Sequence, residues 1–437
     1  MRPSLTKQLL PFVILAANLA VIVALWWQGS SGMLWQNNSS GERLIALGRL
    51  VGLIAELALL TQLVLIGRMR FIEKLFGFDR LNRVHRWIGY CFLFFILLHP
   101  LFLTLGYSQS TGQPLVQQFL TFINTFEDTS KALIGLIIIV GVATLSYPLI
   151  RNRLRYETWH GLHLLMYVAI GLVFGHQINT ADVSQGNALY YWLALNFLVF
   201  GLLITYRFLR PFYLAWHHKF RIEKIMAETK DVWSVYISGV DMTRFHFNGG
   251  QYANIMFLAR GLWYPHPFSF SQAYNGTHVR FTMRASGDFT KRIGELKIGT
   301  RVILDGPLGV FTAERAVQQK LLLIAGGIGI TPLRAMAEAK YNRDIVLLYG
   351  NRTTQNVPFR TELELLNIKT YFVFSDDTAP NSERGRIDGV RIQRLVPDWR
   401  EREVFICGPG LMMQNISNEL KQLGMSKKQI HFENFYH

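Results

Sequence analysis

The chain has 437 residues, enough for two or three domains, and 50% of it is apolar. Its 45 Lys and Arg against 29 Asp and Glu give a net charge of +16. That surplus gathers in the loops between apolar runs, so it calls for a basic collar at lipid headgroups rather than for nucleic acid. Cys91 and Cys407 are the only cysteines and lie far apart, which excludes a disulfide framework and a Cys-only metal site. In chain order, six apolar runs come first, at about 9–27, 44–66, 86–106, 132–150, 157–176 and 189–208. Each is long enough to cross the roughly 30 Å of a bilayer's hydrocarbon. Arg2 and Lys7 before the first run would also suit a signal peptide, but its length and Trp26-Trp27 favour an interfacial span. Arg68, Arg70, Lys74, Arg80, Arg83 and Arg86 follow the second run, and Arg151, Arg153 and Arg155 follow the fourth. Positive loops stay inside, so both termini and the water-soluble half are expected in the cytoplasm.

Ionisable side chains within a bilayer are costly and default to function. His85 and His99 lie 14 residues apart in the third span, close to four turns, on one face and roughly 21 Å apart along the axis. The fifth span carries His160, His163 and His176. The two spans run the same way, so His85 and His163 fall at the inner depth, His99 and His176 at the outer. Two stacked bis-histidine b-type haems fit that pattern, since neutral imidazole is a good axial ligand. The 13 residues from His163 to His176 turn an ideal helix by roughly 220°. The fifth span is therefore distorted, near Gly171 and Gly175 for example, or its histidines reach different sides. Spacing does not choose His163 over His160.

After residue 210 the pattern changes. "VWSVYISG", "GQYANIMF", "HVRFTMRA" and "RVILDGP" read as short strands of an antiparallel β-barrel. From 320 onward, "KLLLIAGGIGITPLRAMAEA", "DIVLLYGNR", "KTYFVFSDD" and "EVFICGPGLMMQNISNEL" read as strands, glycine turns and helices of a doubly wound α/β fold. In "GGIGITP", Gly326, Gly327 and Gly329 let backbone approach a ligand. Thr331 is placed to cap the helix and Pro332 to begin it, which aims a helix N-terminus at a pyrophosphate. The expected division is a membrane helical bundle at 1–210, a flavin barrel at 211–315 and a nucleotide domain at 316–437.

This order of parts, with "HPFSFS", "GDFT", "GGIGITP", "YGNR", "CGPG" and "FENF", resembles the ferric reductase and NADPH oxidase superfamily in a bacterial form, over nearly the whole chain. The resemblance implies haem ligation by His85, His99, His163 and His176, and so selects His163. It implies FAD binding by the His266-Pro267-Phe268-Ser269 stretch, with Phe268 against the ring and Ser269 near its reactive nitrogen. His266 falls where relatives often have a phosphate-binding arginine. Arg284 and the turn Gly287, Asp288, Phe289, Thr290 would hold the flavin's pyrophosphate. Gly326, Gly327, Gly329, Thr331 and Pro332 would take the pyrophosphate of NADPH or NADH, Arg352 an adenosine 2′-phosphate, and Cys407, Gly408 and Pro409 would lie by the nicotinamide. Phe435 matches an aromatic that covers the flavin, although Tyr436 and His437 follow it.

The implied activity is electron transfer from cytosolic NAD(P)H through FAD and two haems to an acceptor outside a bacterial cytoplasmic membrane. Dioxygen, giving superoxide, is the first expectation, a ferric chelate the second, and a partner protein the third. Arg49, in the second span, resembles an arginine that oxidases place by the outer haem, whereas Leu103 stands where they carry a histidine. The route from nucleotide to outer haem is complete within the chain, so no obligatory protein partner is expected. With no EF-hand loop in the sequence, no calcium switch is expected either.

Overall fold

The computed structural model describes residues 4–35, 39–126, 128–179, 182–339 and 342–432. Packing divides the chain into two units, a membrane unit of 4–69 and 80–206 and a reductase unit of 70–79 and 207–437.

In the membrane unit the long helices are Leu5–Ser30, Ser40–Ile66, Phe78–Thr111, Tyr156–Ile178 and Gly186–His218, the third and last of which also extend into the reductase unit. Each is long and apolar enough to cross a bilayer. The fourth expected span differs. Its helix is Thr129–Leu145, 17 residues, and with Leu115–Thr125 it forms a pair bent by 112°. It stops short of residue 150 because Pro148 pushes Tyr147 out of the helical region, to ψ 135. Ser146 is thereby left as the helix's C-cap.

The second span is the axle of the bundle. Its Ala55, Leu59, Leu60 and Leu63 pack with Phe92, Ile139, Ile170 and Val199 of the four later spans. Its other side, through Ala46, Leu53 and Leu57, meets Ile22 and Trp26 of the first span and Trp192 of the last. Large apolar side chains such as Phe12, Phe94, Ile137 and Phe197 remain exposed, as lipid-facing positions should. A Cβ on Gly106 would lie 2.6 Å from Gly41 O, so small residues let the second and third helices approach closely.

The reductase unit begins with two three-stranded antiparallel sheets. β1 (Arg221–Thr229), β2 (Val232–Ser238) and β5 (His278–Arg284) form one; β3 (Tyr252–Phe257), β4 (His266–Ser269) and β6 (Val302–Leu308) form the other. Their inner faces share a core of Val235, Ile237, Ile255, Phe257, Phe281 and Leu304. The expected barrel is not closed. Single bridges at Arg221–Arg301 and Phe270–Phe281 connect the sheets instead of continuous ladders.

A six-stranded parallel sheet follows, β7 (Lys320–Gly326), β8 (Asp344–Asn351), β9 (Lys369–Phe374), β10 (Ser382–Arg384), β11 (Arg402–Cys407) and β12 (Ile430–Phe432), in the order β10-β9-β8-β7-β11-β12. Order reverses between β7 and β11, so the ligand crevice belongs at their carboxyl ends.

Residues 70–79 pack with this unit. The Glu73 carboxylate is buried, accepting from Tyr252 OH at 3.2 Å and Gly309 N at 2.7 Å. Nearby, Arg210 pairs with Asp305 at 2.9 Å.

A charge network ties the two antiparallel sheets to the parallel-sheet fold. Arg280, on β5, is 2% exposed and reaches Glu228, Glu362 and Ser234. Arg334 reaches Glu362, Glu338 and the Ser271 carbonyl. Both guanidinium groups lie over the Phe359 ring. Burial alone would raise the Glu362 carboxyl, but the hydrogen bond from Arg280 and the charge of Arg334 hold it below its ordinary value. A depressed carboxyl stabilises the fold above its unfolded value, roughly pH 4.3, and that stability is lost as pH falls through the folded value. Acid unfolding of Glu362→Gln, followed by circular dichroism, is expected to show a weaker pH dependence below roughly pH 4.3 than the native protein.

Candidate functional site

The four intramembrane histidines come together as two pairs. The His85 and His163 ring centroids are 6.4 Å apart, and those of His99 and His176 are 6.3 Å apart. Two metal–nitrogen bonds of about 2.0–2.1 Å, plus each ring's half-width, place bis-imidazole centroids at roughly that distance. Among the described residues no three His, Cys, Asp or Glu gather as a metal site. Two facing imidazoles per site are what a porphyrin requires, since it supplies four nitrogens itself. The residues therefore fit two haems.

The fifth span is interrupted at Leu164, not at Gly171 or Gly175. One helix runs Tyr156–His163 and the next Leu165–Ile178, so the helical pattern breaks directly after His163. His160 stacks on Tyr156 instead, at 5.7 Å and 16°.

Each pair has a shaped surround. His99 Nδ1 lies 2.8 Å from the Gly48 carbonyl, and a Cβ on Gly52 would lie 2.5 Å from that same nitrogen. Only glycine leaves room for the ring there. Arg49 is next to Gly48 and forms an ion pair with Asp182 at 3.7 Å; Asp182 also accepts from Ser30 Oγ at 3.0 Å. Leu103 packs on Gly48. Two turns beyond Gly48 along the second span, the buried Glu56 carboxylate accepts from Gln177, the neighbour of His176, at 2.6 Å. Asp182 and Glu56 were not singled out by sequence, because their partners lie more than a hundred residues away.

In the reductase unit, "HPFS" forms β4. Phe268 is opposite Ala253 and the buried Ser269 is opposite Tyr252. The "GDFT" turn folds beside it. Phe289 lies tilted against His266 at 4.2 Å and stacks on Phe268 at 6.0 Å. Thr290 Oγ1 accepts from the Ser286 and Gly287 backbone nitrogens at 3.1 and 3.0 Å. Those two N–H groups therefore hold the turn rather than face an anion. Asp288 and Pro267 are exposed. Arg284 pairs with Asp231 at 2.7 Å, and hydrogen bonds from Arg284 and Thr229 overcome burial to lower the Asp231 carboxyl.

A cavity of about 760 Å³ opens at the carboxyl ends of the parallel strands, within the size range of small-molecule sites. Arg284, Gly326, Gly327, Arg352, Arg386 and Pro409 line it. The glycines divide by role. Gly327 has φ +53 and faces open space, so its backbone is what meets the cavity. Gly329 meets neighbouring backbone instead, since a Cβ there would lie 2.3 Å from Cys407 O. A Cβ on Gly326 would meet Met412 and Pro409.

Thr331 does not cap the helix. The Ile330–Ala339 helix follows a 3₁₀ turn at Gly327–Gly329, and Thr331 Oγ1 donates back to Ile328 O at 3.1 Å. Pro332 falls in the first turn, where its missing N–H costs nothing. Thr331, Cys407 and Gly408 are buried, while Arg352 is 87% exposed by side chain and lies 3.6 Å from Asp376. Phe435 and Tyr436 lie outside the described residues. Gly329→Val is expected to overpack the turn against the Cys407 backbone, destabilising the protein by roughly 1–3 kcal/mol in a chemical melt.

Two family models match the sequence: a ferric reductase like transmembrane component over residues 51–174, and an oxidoreductase NAD-binding domain over 323–418. The chain is 30% identical over 242 residues to a component of 1,2-phenylacetyl-CoA epoxidase from Escherichia coli, covering 50% of this chain and 67% of that one. It is 25% identical over 235 residues to the glycine betaine monooxygenase reductase subunit of Chromohalobacter salexigens, covering 50% and 64%. A flavohemoprotein of a Burkholderia species is 29% identical over 236 residues, covering 49% and 58%. The chain thus spans about three fifths to two thirds of the length of these relatives.

Proposed function

Since the chain belongs to the ferric reductase-like oxidoreductases, multi-pass membrane flavoproteins that bind FAD and NAD(P)H, we propose that it carries electrons from cytosolic NAD(P)H through FAD and two b-type haems to an acceptor across the membrane. The observation that carries this reading is the pair of histidine couples, each spaced for one iron. The cofactors supply the redox chemistry, taking a hydride from the nucleotide and passing single electrons on. The protein's residues position and hold them. His85 with His163, and His99 with His176, hold the two haems. Phe268 and Ser269 on β4 would hold the flavin ring, with Phe289 packed against Phe268 and His266. Gly327 and the helix start at Ile330 receive the nucleotide pyrophosphate, and the Gly329–Cys407 contact fixes that turn against the strand leading to Pro409.

Dioxygen is the proposed acceptor, reduced to superoxide. Dismutase-sensitive reduction of cytochrome c by the FAD-supplemented protein and NADPH tests it. Reduced haems that persist in air but reoxidise with a ferric chelate would overturn it. One observation favours the ferric chelate as a second reading. Asp182 offsets the charge of Arg49, and Leu103 offers no proton or hydrogen bond beside it.

For the nucleotide, Arg352 is the lining cation we assign to a 2′-phosphate; it is largely exposed, Asp376 stands beside it, and Arg284 and Arg386 line the same cavity. Arg352→Ala is expected to raise KM for NADPH roughly tenfold, the worth of one charge-assisted hydrogen bond, and to leave KM for NADH nearly unchanged. Equal effects on both nucleotides would remove Arg352 from that role.

A further inference from the structure

Ser146 sits at the end of the fourth span's helix, and its hydroxyl meets three groups. Val142 O is 2.8 Å away, Trp159 Nε1 is 3.2 Å away, and His163 Nδ1 is 3.2 Å away. The donor inventory of these groups settles the direction of each bond. A carbonyl oxygen only accepts, so the single hydroxyl hydrogen goes to Val142 O. An indole nitrogen only donates, so Trp159 occupies one of the two hydroxyl lone pairs. One lone pair remains, and it can only accept. His163 Nδ1 must therefore carry the proton.

We infer that Ser146 is a positioning residue that fixes the tautomer and ring orientation of His163, leaving the Nε2 lone pair toward His85. This rests on the proposed haem ligation and deepens it. The partner of a ligating imidazole's second nitrogen sets ring orientation and ligand basicity. For His99 that partner is a backbone carbonyl, Gly48 O, which no side-chain substitution removes. For His163 it is a serine hydroxyl, shared with Trp159. The two haem sites are thus built differently, and Ser146 belongs to one of them only.

The arrangement follows from local sequence. Pro148 stops the helix and leaves Ser146 as its C-cap, where the hydroxyl bonds back to the carbonyl four residues earlier. Trp159 packs against His163, with ring centroids 5.2 Å apart, and the Arg151 guanidinium lies over the Trp159 ring at 4.4 Å. These two contacts hold the indole whose N–H is given to Ser146.

A hydrogen bond accepted from Nδ1–H makes the imidazole a stronger donor to iron and favours the oxidised metal. Its loss should raise one haem midpoint. Spectroelectrochemical titration of the full-length protein, with haem content and low-spin electron paramagnetic resonance recorded on the same samples, reads this directly. Ser146→Ala is expected to shift one of two midpoints positive by roughly tenfold in the oxidised-to-reduced affinity ratio, about 59 mV for one electron, and to leave the other in place. Ser146→Thr keeps the hydroxyl and is expected to match the native titration. Trp159→Phe removes the competing donor while keeping an aromatic ring beside His163, so its midpoint is expected not to rise; it serves where Ser146→Ala does not fold, and a positive shift in it would count against the assignment. Two native-like midpoints in Ser146→Ala, or equal shifts of both, would overturn the assignment with haem ligation intact. A native protein without haem would instead overturn the ligation on which it rests.

Discussion

With His163 replaced by alanine, the purified protein is expected to hold one haem in place of two, and His160→Ala to hold both. His163 faces His85 across 6.4 Å, whereas His160 lies on Tyr156. Removing an axial ligand leaves the iron with one imidazole and an open position, so the low-spin signal of that haem is lost even if the macrocycle is retained. Electron flow from NADPH to any outer acceptor should fall by more than the roughly 10–100-fold that loss of an outer-shell partner costs. His176→Ala is expected to do the same to the other haem. Haem content by pyridine haemochrome, together with paramagnetic resonance, checks both. Equal loss in His160→Ala and His163→Ala would show that the ring pairing has been read incorrectly.

The second large effect is one of stability. Arg280→Ala should destabilise the reductase unit by roughly 3–5 kcal/mol, the cost of leaving buried partners uncompensated. Arg280 is 2% exposed, and the Glu228 side chain it neutralises is 7% exposed. Removing the guanidinium also takes a cation from the Phe359 ring. Replacing both Arg280 and Glu228 by apolar residues of similar volume is expected to recover much of the loss, because no charge is then left alone. Chemical denaturation followed by flavin fluorescence measures this. A single variant as stable as the native protein would mean that water, rather than Arg280, satisfies Glu228.

Much of this was legible in the sequence, for physical reasons that differ by element. Apolar runs mark spans because hydrocarbon tolerates little else, and five of the expected spans match long helices. The fourth expected span ran past the end of its helix because Leu149 and Ile150 continue the apolar run beyond Pro148, which ends the helix. The histidine pairs were legible because ionisable rings at matched depth have few other uses. Choosing between His163 and His160 from spacing was not, because the choice rests on which ring faces His85 in the folded bundle. The strand pattern of the flavin sheets follows from alternation, but closure depends on how far each ladder runs, which alternation does not specify. Thr331 misled because it had the chemistry of a cap, while the 3₁₀ turn ahead of it moved the helix start to Ile330. Asp182 and Glu56 were invisible because each is an ordinary polar residue whose partner is more than a hundred residues away in the chain. Ser146 was invisible for another reason: its partners are near in sequence, but only the end of the helix at Ser146 turns its hydroxyl toward them.

The most direct test of the account is anaerobic mixing of the FAD-loaded protein with NADPH, following flavin and haem absorbance together. The account predicts that the flavin bleaches and that haem equivalent to two irons per chain is then reduced. Flavin reduction with the haem left oxidised, or with only one iron per chain reduced, would contradict it.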